Sequence, residues 1–378
     1  MIYLDNAATS WPKPERVYRA TDHALRTAAN PGRGGHRRSR DSAHLVLQSR
    51  ETVARFFGVT DSRQIIFTAG ATASLNQIIY GVMPGARRIL SLGFEHNALW
   101  RPLEDLTRNY GVTVKYANPL EPQGFNWGMV DQGLREKPDL VAITHASNVT
   151  GQVYPVVEIA RRAKEAGVLV CVDVSQTAGV LAMNFEEMGI DFAAFPGHKG
   201  LLGPPGVGGL YIRAGAPLRP LCLGGTGANS HAPFVPTSLP ERYESGTMNI
   251  PGIVGMAAGI EYLVEQGLAN VLDHELALRQ RAQEGLKSLG AVLYGDVGPW
   301  VGVLAFNLPG IDSTELAYIL DDIYGICLRG GLHCAPRAHE FLGTTISGAT
   351  RISPGLYNTE AEIDQLLATL QEIQQMMR

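Results

Sequence analysis

Short, almost wholly apolar runs recur along the first half of the chain, separated by stretches in which apolar and polar residues mix at helical spacing. The runs are QIIFTA (64–69), RILSL (88–92), TVKYA (113–117), DLVAITHA (139–146), VLVCVDV (168–174), DFAAF (191–195) and GGLYIR (208–213). A strand with one buried face alternates apolar and polar residues. Runs apolar throughout predict strands covered on both faces. The segment VVEIARRAKEAG (156–167) typifies the helical stretches between them. Strand and helix repeated in this order predict an α/β unit on a mostly parallel sheet of about seven strands.

The pattern changes after residue 220. LCLGGTGANSHAPFVPTSLPERYESGT (221–247) is rich in Gly, Pro, Ser and Thr and reads as a long loop. Helical spacing returns over 252–288. The short strands AVLYG, GVLAFNL and GICLR follow, then a helix from Thr359 to Met377. This is a second, smaller α+β unit.

Composition narrows the setting. The chain has 378 residues, 45% hydrophobic and 18% charged, with a formal charge of −4. That predicts a compact fold without a basic face for nucleic acid or a polybasic membrane tract. The N-terminal MIYLDNAATSWPKPERV lacks the pattern of a signal peptide, and no apolar run reaches membrane-spanning length. Cys171, Cys222, Cys327 and Cys334 are widely spread with no CxxC pair. That argues against a disulfide framework and a structural zinc site, so a reducing, cytoplasmic setting is expected.

Ligands of open α/β sheets bind beyond the carboxyl ends of the strands. Five polar clusters fall there: Gly70-Ala71-Thr72, Glu95-His96-Asn97, Ser147-Asn148, Asp173 with Gln176, and Gly197-His198-Lys199. Four of them have an ordinary reading beside a chemical one. Thr72 either caps a helix or stands where free N–H groups receive a phosphate. Asp173 either caps a helix or pairs with a protonated ring nitrogen. Lys199 is either solvated or a Schiff-base lysine. His96 is either structural or a flat ring over an aromatic cofactor.

Taken in order, the motifs resemble the class V aminotransferases, within the cysteine desulfurase and selenocysteine lyase group. They are YLDNAATSWPKP (3–14), TAGATASLN (68–76), EHNALW (95–100), HASNVTG (145–151), DVSQTAG (173–179), GHKGLLGPPGVGGLYI (197–212), ESGTMN (244–249), RGGLHCAP (329–336) and ATRISPGLYNT (349–359). The resemblance spans essentially the whole chain. It implies a fold-type I enzyme using pyridoxal 5'-phosphate. Residues 15–247 would form the cofactor-binding domain, and 1–14 with 248–378 a small domain carrying the catalytic cysteine and a carboxylate-binding arginine.

The resemblance also implies roles. Lys199 matches the lysine that carries the cofactor, Asp173 the partner of its ring nitrogen, and His96 the imidazole stacked on the ring. Asn148 and Gln176 match the amides beside the phenolic oxygen, and Asn148 also borders the substrate. Ala71, Thr72 and His198 match the phosphate cradle. Thr247 matches a threonine that reaches the neighbouring subunit's phosphate, which implies a homodimer with shared sites. Arg351 matches the arginine that clamps the substrate carboxylate, and Cys334 the catalytic thiol. One departure is plain: relatives often carry a hydroxyl two positions before the His-Lys pair, where this chain has Pro196. Backbone N–H groups near Thr72, or water, are expected in its place.

The expected reaction converts L-cysteine to L-alanine and leaves a persulfide on Cys334 for an acceptor protein or thiol. Sixteen residues lie between Cys334 and Arg351. So short a loop implies that the acceptor comes to the cysteine. Attack needs a thiolate, and Arg329, His333 and the cationic cofactor site are expected to favour it. Cys171 and Cys327 sit in apolar runs and fit a packing role. His333, Cys334 and His339 lack the fourth ligand and the spacing of a zinc site. L-Selenocysteine stays open as substrate, another class V lyase or aminotransferase reaction stays open as chemistry, and a low-turnover sulfur carrier is the alternative of a different kind.

Overall fold

The computed structural model describes residues 1–32, 34–118, 120–121, 124–227, 231–295 and 298–377. All seven apolar runs are strands: β1 (Ile65–Thr68), β2 (Arg88–Ser91), β3 (Thr113–Tyr116), β4 (Leu140–Thr144), β5 (Leu169–Asp173), β6 (Phe192–Pro196) and β7 (Gly208–Ile212). They form one sheet in the order β1-β7-β6-β5-β4-β2-β3. Strand β7 runs antiparallel to both neighbours, whereas the other pairs are parallel.

Side chains explain why apolar residues occupy successive positions in most of the runs. Ile65 and Phe67, Val141 and Ile143, Val170 and Val172, and Ala193 and Phe195 belong to one buried cluster. Their alternate neighbours Ile66, Leu140, Ala142, Cys171, Phe192 and Ala194 belong to another. The period of two thus feeds two cores, one on each face of the sheet. Helices Ala71–Gly81 and Asn97–Tyr110 supply Leu75, Ile78, Leu99 and Leu103 to the second.

The long loop carries no helix or strand among its described residues, and residues 228–230 lie outside them. Helix Ile250–Gln266, beyond the expected division at 248, places Ile253, Met256, Ile260 and Leu263 in the first large-sheet cluster and packs on helices Glu15–Thr27 and Arg37–Phe56. Helix Leu268–Ser288 runs from there to a separate core. That core joins Leu278, Ala282, Phe306, Leu320, Ile352 and Leu366 to Ile2 and Leu4 from the other end of the chain.

The smaller sheet is antiparallel, built from Val292–Tyr294, Leu304–Asn307 and Thr350–Ile352. Two of the short runs match it. The third, GICLR, instead pairs Ile326–Cys327 in parallel with Ile2–Tyr3. The third strand of the small sheet is Thr350–Ile352, which carries Arg351. The last helix spans Glu360–Met376, with Thr359 and Glu362 forming a reciprocal capping box. Among the described residues no helix is long and apolar enough to cross a membrane.

Candidate active site

Every parallel strand that ends beside the site contributes through the loop that follows it. Helix Ala71–Gly81 begins straight after β1, and its cap is Gly70, at φ 139° with no side-chain cap. Thr72 is therefore not the cap; it lies exposed in the first helical turn. The leading N–H groups of this helix lack carbonyl partners within it and face outward. His96 caps helix Asn97–Tyr110, its Nδ1 accepting from the Ala98 N–H at 3.0 Å. Asp173 is the last residue of β5, and Pro196 ends β6 three residues before Lys199.

These positions converge. One cavity of about 590 Å³ is lined by Lys199, Asp173, His96, Asn148 and Gln176, and by Ala71, Thr72, His198 and Arg351. Nine of the eleven candidate residues thus share one space. Arg329 and His333 line it too. Cys334 does not line it, but its Sγ is 3.2 Å from Nη2 of Arg329. Thr247 stands apart: it is exposed and lines an adjoining cavity of about 380 Å³ with Glu244, Ser245 and Asn249.

Burial sets the protonation states. Desolvation pushes the Lys199 amine down to about 8, with Asp173 opposing and Arg351 and Arg329 assisting. His96 falls to about 4, chiefly through burial and then through Lys199 and Arg329. Its ring is neutral, and since Nδ1 accepts, Nε2 carries the hydrogen. Burial raises the Asp173 carboxyl, while the Ser175 hydroxyl, the Ser175 N–H and Lys199 pull it back. His333 was expected to lend positive charge to the cysteine. Burial and Arg351 push it down to about 2, so it is neutral and the nearby charges are those of Arg329 and Arg351.

Several supporting residues had no role in the sequence reading. Asp5 pairs with Nη2 of Arg351, whose Nη1 donates to the Asn148 carbonyl at 3.0 Å. Arg351 is 1% exposed, and its Nε has no partner. Asp5 is the sole acid of YLDNAAT, a motif otherwise hydroxyl, amide or apolar. The backbone of the His198–Lys199 pair is also pinned from the N-terminal segment. Lys13 Nζ donates to the His198 carbonyl at 2.7 Å and Ser10 Oγ to the Lys199 carbonyl at 2.9 Å. Asn148 donates to the His333 carbonyl at 2.7 Å and Gln176 to the Ala7 carbonyl at 3.2 Å. Each amide keeps a second N–H.

The fold and this grouping define a class. The family profile of class-V aminotransferases matches residues 2–366, and the chain belongs to that family. A probable cysteine desulfurase of Methanothermobacter thermautotrophicus is 35% identical, the match covering 98% of this chain and 94% of that one. A cysteine desulfurase of Haloferax volcanii is 30% identical over 97% of this chain and 88% of its own length. Among solved structures, the apo cysteine desulfurase of Thermococcus onnurineus superposes with a TM-score of 0.91 at 34% identity, covering 98% of this chain and 94% of that one. The cysteine desulfurase CsdA of Escherichia coli gives 0.89 at 27% identity, covering 99% and 94%. The expected fold type is therefore met across the chain.

Proposed function

We propose that this protein is a pyridoxal-phosphate-dependent cysteine desulfurase, which moves the sulfur of L-cysteine onto Cys334 and releases L-alanine. The observation that carries the reading is the Cys334 sulfur, held 3.2 Å from the Arg329 guanidinium, which itself lines the cavity of Lys199. A transaminase has no need of a thiol beside that cavity.

The residues present fit the cofactor. His198 Nδ1 is buried without a partner, and the first-turn N–H groups after Gly70 are free to receive a phosphate. Lys199 would bind it covalently, Asp173 would accept from its ring nitrogen, and His96 would cover one ring face. Asn148 and Gln176 would donate their spare N–H groups to its phenolic oxygen. When bound, pyridoxal phosphate supplies the electron sink that makes the substrate's Cα proton removable.

The chain's own groups do the rest. Arg351 receives the substrate carboxylate, and its free Nε supplies an unused donor. With an amine near 8, Lys199 exists partly neutral at neutral pH and carries the proton from Cα. Arg329 stabilises negative charge on the Cys334 sulfur. That sulfur bonds to the substrate sulfur as the substrate's carbon–sulfur bond breaks. The thiol proton balances the products as alanine and a persulfide. Thr247, exposed outside the cavity, would contact the partner subunit's phosphate in a homodimer with shared sites. Cys334 would then pass its sulfur to an approaching protein or thiol.

Alanine release from L-cysteine and from L-selenocysteine, with and without a reductant, tests the reading. Turnover of cysteine that depends on Cys334 supports it. Turnover of selenocysteine alone identifies a selenocysteine lyase, and no release from either leaves a sulfur carrier.

A further inference from the structure

His333 and Cys334 both have left-handed backbones, φ 51° and 56°, which residues with a Cβ rarely adopt. Such a pair persists only where surrounding contacts over-determine it. Two backbone contacts are evident. The His333 carbonyl accepts from Asn148 at 2.7 Å, and the Cys334 carbonyl accepts from the Asn97 N–H at 2.7 Å.

The side-chain contacts form a directed chain whose tautomers follow by elimination. His333 Nε2 lies 3.2 Å from the Arg329 carbonyl, which can only accept, so Nε2 carries the hydrogen. His333 is neutral, so its Nδ1 is bare and must accept. His339 Nε2, 3.4 Å away, is therefore the donor. His339 is fully buried, and burial holds it neutral, which leaves its Nδ1 bare. The Thr344 hydroxyl, 2.7 Å from that nitrogen, is the donor there. All four ring nitrogens are committed, which leaves none for a metal. The two rings lie nearly parallel, 19° apart with centroids at 5.6 Å.

We propose that His339 and Thr344 are positioning residues for the Cys334 thiol. The relay from Thr344 through His339 and His333 to the Arg329 carbonyl holds the left-handed turn and, with it, the sulfur against the Arg329 guanidinium. The inference rests on Cys334 being the sulfur nucleophile. Breaking the relay frees the turn to relax to negative φ, so the half-buried thiol becomes more accessible while leaving its reactive geometry. General reactivity at Cys334 and productive reactivity then move in opposite directions while buried Cys171, which loss of folding stability would also uncover, stays protected.

Cofactor-loaded native protein, Thr344→Val and Thr344→Ser are treated with iodoacetamide at about pH 10, where a thiol is ionised with or without a cation beside it, and the alkylation of each cysteine is followed by peptide mass. Exposed Cys222 controls for the reagent and buried Cys171 for global unfolding. In Thr344→Val, Cys334 alkylation rises at least about threefold through local loosening, with Cys222 and Cys171 unchanged. Alanine release at saturating cysteine falls at least about tenfold, as expected when a reacting group is displaced by a fraction of an ångström, with little change in KM. Thr344→Ser, which keeps the donor, behaves as native in both measurements. Unchanged or slower Cys334 alkylation in Thr344→Val overturns the proposal, as does a Thr344→Ser protein that behaves like Thr344→Val. If native protein releases no alanine, the desulfurase reading fails, while the alkylation comparison still decides the relay.

Discussion

Replacing Arg50 with methionine removes the cation from a buried pair that fixes the start of the Glu244–Thr247 segment. Arg50 meets both carboxylate oxygens of Glu244, at 2.7 and 2.8 Å, with side-chain exposures of 5% and 7%. The Phe67 N–H also donates to Glu244, Arg50 donates to the Ile65 carbonyl, and its guanidinium lies 4.5 Å from the Phe67 ring centre. Without Arg50, Glu244 escapes a buried charge by taking up a proton. From its ordinary 4.5, this costs about 3 kcal/mol at pH 7 and under about 1 kcal/mol at pH 5. The orphaned Ile65 carbonyl adds about 1–3 kcal/mol at either pH. The loss is then about 4–6 kcal/mol at pH 7 and about 2–4 kcal/mol at pH 5, in the range for breaking a buried pair.

The sign follows from the direction of the shift. Burial raises the Glu244 carboxyl and Arg50 pulls it back. Once Arg50 is gone, the raised carboxyl contributes its full stability below the unfolded value and loses it as pH rises. The variant's deficit must therefore grow from pH 5 to pH 7. Urea unfolding of native and Arg50→Met protein, followed by circular dichroism at pH 5, 6 and 7, measures it. Adding Glu244→Leu should remove the pH-dependent part. A deficit equal at pH 5 and 7, or below about 1 kcal/mol throughout, would refute the reasoning.

Three further outcomes follow from the site. Uptake of pyridoxal phosphate by cofactor-stripped protein should accelerate about tenfold per pH unit below 8 and level off above it, because the neutral Lys199 amine reacts; stopped-flow absorbance reads this, and Lys199→Ala should show no such phase. Arg351→Ala should raise the KM for cysteine by at least about tenfold while the bound cofactor's spectrum is kept, reflecting the lost charge-assisted contact; an unchanged KM would assign the carboxylate to another residue. Mixed Thr247→Ala and Lys199→Ala subunits should regain activity, since one site of the heterodimer carries both lesions and the other none; mixtures no better than their parents would exclude sharing.

Much of the fold was legible because burial on both faces writes itself into the strands. The strand Leu140–Thr144 must feed two cores at once, so its first four positions are all apolar. The strand-end clusters were legible for a related reason, since polar residues ending such runs stand out. What was not legible depended on contacts far apart in sequence. Nothing around Cys327 indicates that its strand pairs with Ile2–Tyr3. The orientation of β7 is fixed by both neighbours, not by its own composition. Asp5 lies 346 positions from Arg351, and no local pattern announces their pairing. The neutral state of His333 follows from how deeply it is buried, which adjacency to Cys334 in RGGLHCAP does not reveal.

The desulfurase reading turns on where the sulfur goes. Cofactor-loaded protein is incubated briefly with L-cysteine, alkylated and digested, and the peptides holding its four cysteines are weighed. Buried Cys171, exposed Cys222 and Cys327, whose thiol lies 3.3 Å from Asp321, lack the Arg329 contact. One added sulfur atom should appear on the Cys334 peptide alone, vanish on reduction, and accumulate in step with alanine until it reaches one per site. Sulfur on any other cysteine, or alanine formed at the native rate by Cys334→Ser protein, would contradict the account.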